Sequence, residues 1–408
     1  MTAELTENPT DLAAGGEAPP TVAGIRSAVA PVLARLAAGA RGREDTRDYP
    51  HAEVGALAAH RITLTGIAVE DGGAGGTLRD VADVVIDIAR ADSNVAQALR
   101  SSFLTAQSVA TRRDLPDRER TLDRLRAGHL FAGTANERGG APGAVATTIR
   151  AVGEEFRLTG EKYYSTGGLY AQWFGGTALD EEGELVRFTV PVDRDGVERL
   201  DDFDAIGQRL TASGTTRLRD VRIEPDEFAR AEDRQPRNPW QGSFAQLYLA
   251  AVEAGIAAAA YDDARWFARD VARPIKHSPA ERTVDDPYVR HVVGEIAARA
   301  NAARAVVLLA AETLGAVGGA GDEEVRERGA EASVAVAQAQ YVAIESALRA
   351  AELVFDVGSG SATDRAHRLD RHWRNARTVA NHNPRNWKTA VVGGYLLAEE
   401  DPPTTGLF

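Results

Sequence analysis

Two apolar stripes in the last third of the chain constrain its fold more than any other feature. Val289, Val293, Ile296, Ala300, Ala303, Val307, Ala310, Leu314 and Val317 step by four and three residues. Val334, Ala337, Tyr341, Ile344, Leu348, Ala351 and Phe355 do the same. That spacing gathers the apolar side chains on one helix face. Each stripe runs for roughly thirty residues, or about 45 Å at the helical rise. Gly318, Gly319 and Gly321 separate them. The pattern predicts two long antiparallel helices in the core of a bundle.

Upstream the texture differs. From Val22 to about Ala127 the chain reads as helical, with amphipathic spacing over Val22–Ala38 and a similar period over Leu78–Val109. Between them GIAVEDGGAGGTLRD, residues 66–80, reads as a glycine loop, with Thr77 and Asp80 placed to open the next helix. From His129 to about Ile223, the runs Thr147–Val152, Phe156–Leu158, Val186–Val192 and Thr215–Ile223 alternate apolar with polar residues. Gly, Asp and Pro separate them, which predicts an antiparallel β-domain. After Pro239 the chain is Ala-rich and helical as far as Val357. The expected domains are a disordered leader (1–20), a helical domain (21–127), a β-domain (128–228) and a second helical domain (240–408).

Composition narrows the chemistry. The chain has no cysteine, and its one methionine is Met1, which removes thiolate nucleophiles, zinc–thiolate sites and cysteine-ligated iron–sulfur clusters. A net charge of -13 disfavours a nucleic-acid partner. The N-terminal residues lack the basic start and apolar run of a signal peptide. Charges such as Glu253, Arg304 and Glu345 interrupt the apolar stretches, so no bilayer span and no membrane partner is expected, and a cytoplasmic location is. No phosphate loop, G-x-G-x-x-G, H-E-x-x-H or G-x-S-x-G motif is present, so no protein-bound metal is expected either.

Four segments are too polar and aromatic for their surroundings. They are FAGTANERGG (131–140), GEKYYSTGGLYAQW (160–173), GQRLTASGTT (207–216) and RLDRHWRNARTVANHNPRNW (368–387). Singly they read as a turn, a hairpin, a loop and a solvated basic face. Together they are less plausible as accidents.

These segments carry a resemblance. GIAVEDGGAGG and GEKYYSTGG resemble segments of the acyl-CoA dehydrogenase superfamily, and YSTGGLYAQW, DDFDAIGQRLTASGTT and RLDRHWRNART resemble its reduced-flavin monooxygenase branch. The resemblance implies an α+β fold with an N-terminal helical domain, a central β-barrel and a C-terminal four-helix bundle. It further implies a two-component enzyme, a homotetramer, that takes reduced FMN from a separate flavin reductase. Such an enzyme reacts the flavin with O2 and inserts oxygen at sulfur or nitrogen of a small molecule through a C4a-peroxyflavin.

By the same resemblance Thr166, Ser165 and His382 are the catalytic candidates, His382 as a proton shuttle with a pKa near its ordinary value of about 6.5. Thr134, Tyr164, Thr166, Arg273 and Ser359 would hold the flavin, with the Arg368–Arg377 cluster joining Arg273 at its phosphate. Ser102, Val379 and Asn383 would line the substrate pocket. Dehydrogenases of the superfamily place a proton-abstracting glutamate where this chain has Asn383, and an amide cannot act as that base. Their FAD-binding arginine–phenylalanine–glycine pattern is replaced by ARPIKHSPAER (272–282), which makes FAD the lesser expectation. An acyl-CoA dehydrogenase or oxidase, or a non-catalytic flavin-binding paralogue, are the alternatives.

Overall fold

Helix α1 (Val22–Thr46) opens the chain that the computed structural model describes, namely residues 20–139, 143–230, 238–319, 321–405 and 408. The expected leader lies outside the described residues apart from Pro20. After α2 (His51–Ala59) come two 3-10 turns and the glycine loop, and Thr77 with Asp80 forms the expected capping box on α3 (Leu78–Ala91). The helical period over Leu78–Val109 resolves into three helices, not one. Asp92 is extended at φ -158° and caps α4 (Ser93–Ala98) through the Asn94 amide, and α5 (Arg100–Thr111) begins after Leu99. Helix α6 (Arg118–Arg126) leads into the sheet.

The strands are β1 (Phe131–Thr134), β2 (Thr148–Val152), β3 (Glu155–Lys162), β4 (Trp173–Leu179), β5 (Leu185–Pro191), β6 (Val197–Arg199), β7 (Thr216–Ile223) and β8 (Phe228–Arg230). They form an eight-stranded sheet in the order β6-β7-β3-β2-β4-β5-β8, with β1 beside β4. Two expectations are corrected here. The sheet is mixed, because β1 and β2 both run parallel to β4. It is also open among the described residues, since the end strands β6 and β8 do not pair, so no barrel closes. A three-residue strand at each end offers few hydrogen bonds with which to close one.

The two stripes become α8 (Pro287–Val317) and α9 (Asp322–Leu353), and from Ile296 onward the first stripe is buried. Glu295 near the start of α8 meets Arg349 near the end of α9, which fixes the pair as antiparallel. Both pack on α7 (Ser243–Trp266), whose Ala-rich faces sit against α3 as well. Helices α10 (Asp370–Ala380) and α11 (Arg385–Ala398) lie against α9.

The charges do not exclude membrane-length helices. Val22–Thr46, Ser243–Val271 and Pro287–Val317 are each long and apolar enough to cross a bilayer, because at most two charged side chains fall in the most apolar eighteen residues. In Ser243–Val271, 83% of that window is buried inside the fold, so its apolar surface goes to intramolecular packing.

Candidate active site

The four polar segments meet. Lys162 ends β3 with no exposed surface and donates to Glu137 Oε1 at 2.5 Å, while the Thr147 hydroxyl and the Ala146 and Thr147 amides donate to the same carboxylate. Burial opposes the charge on Glu137, but these donors hold its pKa below the usual value. Beside them the Arg138 guanidinium lies 3.3 Å from the Tyr163 ring centroid, and the Tyr163 amide donates to Asn136 O at 3.0 Å. Segments 131–140 and 160–173 are thus joined.

The second junction is a set of hydroxyls. Thr216 donates to Ser165 Oγ at 2.9 Å, Thr166 pairs with Ser213 at 3.0 Å, and Ser213 pairs with Thr211 at 2.7 Å. Gly167 makes this fit possible. It sits at φ +83°, and a Cβ there would stand 2.5 Å from the Ala98 carbonyl, so only glycine lets the loop touch the α4–α5 junction. Tyr164 is held at φ +61°, a left-handed setting that costs a non-glycine residue about 1–2 kcal/mol. Its ring is left more than half exposed, edge-on to buried Phe203.

The third junction ties the loop to the C-terminal segment. Asn375 Oδ1 accepts from the Gln208 amide at 2.7 Å, and Asn94 Oδ1 accepts from the Leu210 amide at 3.1 Å. A Cβ on Gly207 would meet Arg374 O at 2.1 Å, so loop and helix touch backbone to backbone. From α10, Arg371 at 2.5 Å and His372 at 2.8 Å reach Asp263 of α7, which also receives Arg41 of α1 at 2.7 Å. Burial opposes its charge, yet His372, Arg371 and Arg41 hold its pKa far below the ordinary carboxylate range. Arg374 binds Glu44 and Asp370, and Arg368 binds Asp45. The expected phosphate-binding cluster is therefore mostly consumed in structural ion pairs, leaving Arg377 to face the buried Glu253.

Beyond the hydroxyls, α5, α7 and the α10–α11 turn come together around His382. His382 Nδ1 donates to Asn383 Oδ1 at 2.8 Å, which leaves its Nε2 as an acceptor. The ring is open to solvent yet deep among protein atoms. Lost hydration, with help from nearby Arg100, pulls its pKa down to about 4. His382 is neutral at pH 7, so the expected poise near 6.5 is replaced by a weak base that accepts hydrogen bonds. Asn383 Oδ1 also accepts from Gln246 Nε2 at 3.4 Å, and Gln246 Oε1 accepts from Lys388 Nζ at 3.0 Å.

The remaining candidates are placed as follows. Thr166 is the partly exposed hydroxyl of the set, whereas Ser165 is 1% exposed and taken up by Thr216. Thr134 ends β1 half-buried and its hydroxyl accepts from the Asn136 amide at 3.0 Å. Ser102 is buried and exchanges hydrogen bonds with the Phe131 backbone, so it pins α5 to β1. Val379 is buried in the core. Arg273 and Ser359 are exposed and lie beyond the C-terminal end of α7, beside the contact between Gly358 and Phe267. Tyr248, which donates to Ala96 O at 2.6 Å, marks the hydroxyl end. Along the helix the two ends are roughly 35 Å apart, so Arg273 and Ser359 stand far from the hydroxyls of their own chain. Sequence reasoning passed over Arg100, Gln246 and Lys388. Arg100 had a signal, as the one charged residue between Asp92 and Arg112.

Comparison with known proteins completes the description. Residues 247–387 match the family "Acyl-CoA dehydrogenase, C-terminal domain". A dibenzothiophene monooxygenase of Mycolicibacterium goodii is 29% identical over 346 residues, 81% of this chain and 83% of that protein. The chain resembles the flavin-dependent monooxygenase branch of the acyl-CoA dehydrogenase superfamily. Within that branch, a probable FMNH2-dependent monooxygenase, SfnC of Pseudomonas putida, is 27% identical over 364 residues, 88% of this chain and 91% of that protein. Methanesulfinate monooxygenase MsuC of Pseudomonas fluorescens superposes with a TM-score of 0.83 at 26% identity, covering 94% of this chain and 99% of that one. FMN-bound TdsC of Paenibacillus sp. A11-2 superposes with a TM-score of 0.85 at 23% identity, over 94% and 100%, a likeness of fold. The acyl-CoA dehydrogenase-like fold, with its helical C-terminal region and mixed sheet, is thus shared with these monooxygenases.

Three histidines give the chain a readable pH dependence. His382, His372 and His129 all have pKa values lowered from 6.5, chiefly by burial. Between about pH 4 and 6.5 the unfolded chain binds protons that the folded chain refuses, so stability is full above 6.5 and falls as the pH drops. Thermal unfolding from pH 7.5 to 5 is expected to show a declining midpoint, and His372→Gln is expected to flatten that slope.

Proposed function

We propose that this chain is a two-component monooxygenase that uses reduced FMN and O2 to oxygenate sulfur, or nitrogen, of a small organic molecule. The observation that carries the reading is the accessible Thr166 hydroxyl, backed by Ser213 and Thr211 and set beside the half-exposed Tyr164 ring. An aromatic face next to a pre-aimed hydroxyl fits an isoalloxazine ring. The amide at Asn383, bonded to His382, leaves no solvent-accessible carboxylate there to abstract an acyl α-proton. The names of the monooxygenase relatives point the same way.

Bound reduced FMN would supply two electrons to O2 and the substrate heteroatom the other two, giving oxidised FMN, water and an oxygenated product. Thr166 would hold the flavin edge and Tyr164 would pack against the ring. His382, neutral with Nε2 as an acceptor, would accept a hydrogen bond from the substrate side beside Arg100. Thr134, at the end of β1, would help to hold the flavin. Because of their distance from the hydroxyls, Arg273 and Ser359 would serve the FMN phosphate of a neighbouring copy, which fits a homotetramer. The flavin comes from a separate reductase, the enzyme is cytoplasmic, and α11 joins α7, α8 and α9 as the fourth helix of the bundle.

The test uses the purified chain with FMN, NADH, an unrelated flavin reductase and labelled oxygen, offered thioethers, alkanesulfinates, amines and acyl-CoA esters. Label in a sulfur or nitrogen product supports the proposal, and reductase-independent desaturation of an acyl-CoA would sink it. Thr166→Val is expected to cut kcat by about 100-fold, the size of losing one positioned donor, while FMN affinity measured by fluorescence changes much less.

A further inference from the structure

Arg100 is the least explained charge in the molecule. It opens α5 beside Tyr248 and His382, and its Nε is shut away from water with no hydrogen-bond acceptor. Among the described residues no carboxylate forms an ion pair with it. Lost hydration lowers its pKa to about 10, still leaving it charged. A cation taken from water without a partner is costly, and folds keep such an arrangement where something pairs with it.

Lys388 repeats the pattern. It has no exposed surface, its Nζ bonds the Gln246 amide at 3.0 Å and lies 4.8 Å from the centre of the Phe408 ring, and no carboxylate forms an ion pair with it among the described residues. Gln246 ties it to Asn383, and Asn383 to His382. Two desolvated cations therefore flank the His382 corner, with amides between them. The nearest carboxyl on α7, Glu253, lies two turns away, roughly 10 Å along the helix, and faces Arg377 instead.

We propose that this corner is a subsite for a compact oxyanion on the substrate, a sulfinate or carboxylate, held by the Arg100 fork with Lys388 as the second positive charge. Its role as a substrate subsite rests on the monooxygenase reading, since it names the substrate class for that same site. A planar guanidinium matches a two-oxygen anion in bidentate geometry, and the local low polarity strengthens the pair. The FMN phosphate is assigned elsewhere, to Arg273 and Ser359.

The experiment measures binding of methanesulfinate, acetate and the neutral dimethyl sulfone to the full-length, FMN-loaded protein by calorimetry, in wild type, Arg100→Gln and Arg100→Lys. At least one anion is expected to bind ten times or more tightly than the sulfone. Arg100→Gln is expected to weaken it by 10- to 100-fold, with Arg100→Lys recovering part of the loss and FMN affinity within threefold. Arg100→Gln should also melt at or above the wild-type temperature, because it removes an unpaired charge whose Nε is shut away from water. Equal affinity for the sulfone, or loss of FMN binding in place of anion binding, would overturn the subsite. Anion binding that depends on Arg100 without any FMN- and reductase-dependent oxygenation would sustain the subsite and sink the monooxygenase reading.

Discussion

Replacing Asp263 with alanine is expected to destabilise the protein by about 3–5 kcal/mol, the cost of removing one partner from a buried ion pair. The carboxylate receives Arg41 from α1 and both Arg371 and His372 from α10, so three elements lose their shared anchor at once. Arg371 and His372 are buried, and among the described residues neither has another carboxylate in hydrogen-bond contact. Urea unfolding followed by circular dichroism measures the loss. Asp263→Asn, which keeps the shape and removes the charge, is expected to fall between wild type and alanine. A midpoint unchanged by the alanine substitution would show that the cluster contributes no net stability. Activity is expected to fall alongside stability, because α10 also carries Asn375, the group that fixes the 207–216 loop.

The second large effect has the opposite sign. Glu253 lies in the middle of α7 with no exposed surface, and neither carboxyl oxygen has a hydrogen-bond partner. Burial raises its pKa well above the ordinary carboxyl value of 4.5, against the pull of Arg377. Above pH 4.5 the unfolded chain gives up this proton while the folded chain must keep it, so the wild type loses stability as the pH rises toward the folded pKa. Glu253→Met preserves length and removes both orphan oxygens. It is expected to stabilise by about 1–3 kcal/mol at pH 7. Relative to wild type the gain should widen between pH 5 and 8, and a gain independent of pH would show that Glu253 is not held protonated.

The parts of the fold written in periodicity were readable before the structure. The stripes from Val289 and Val334 became α8 and α9, and Thr77 with Asp80 made the capping box, because one side chain per turn and a hydroxyl before an acid are local signals. The open, mixed sheet was not readable. Strand direction depends on which segments meet, and nothing within Trp173–Leu179 reports that β1 and β2 run parallel to it. The site was half legible. Composition marked the four polar segments, but not which arginines of RLDRHWRNART would be neutralised. Arg371 and Arg374 find Asp263 and Glu44, far away in sequence. Likewise Ser102 and Ser165 stood in the right segments, yet buried backbone and hydroxyl partners claim both.

One of those pairings also sets a clock. Glu44 lies 330 residues before Arg374, the cation that neutralises it. A ribosome adding about 5–20 residues per second takes roughly 15–65 s to cover that interval. For that time α1 and α3 can gather their apolar faces, but Glu44 has no Arg374 and Asp263 no α10. The nascent protein therefore carries all eight strands and the three long helices α7, α8 and α9 before its closing element exists. The 207–216 loop cannot take its final shape until the penultimate helix has left the tunnel.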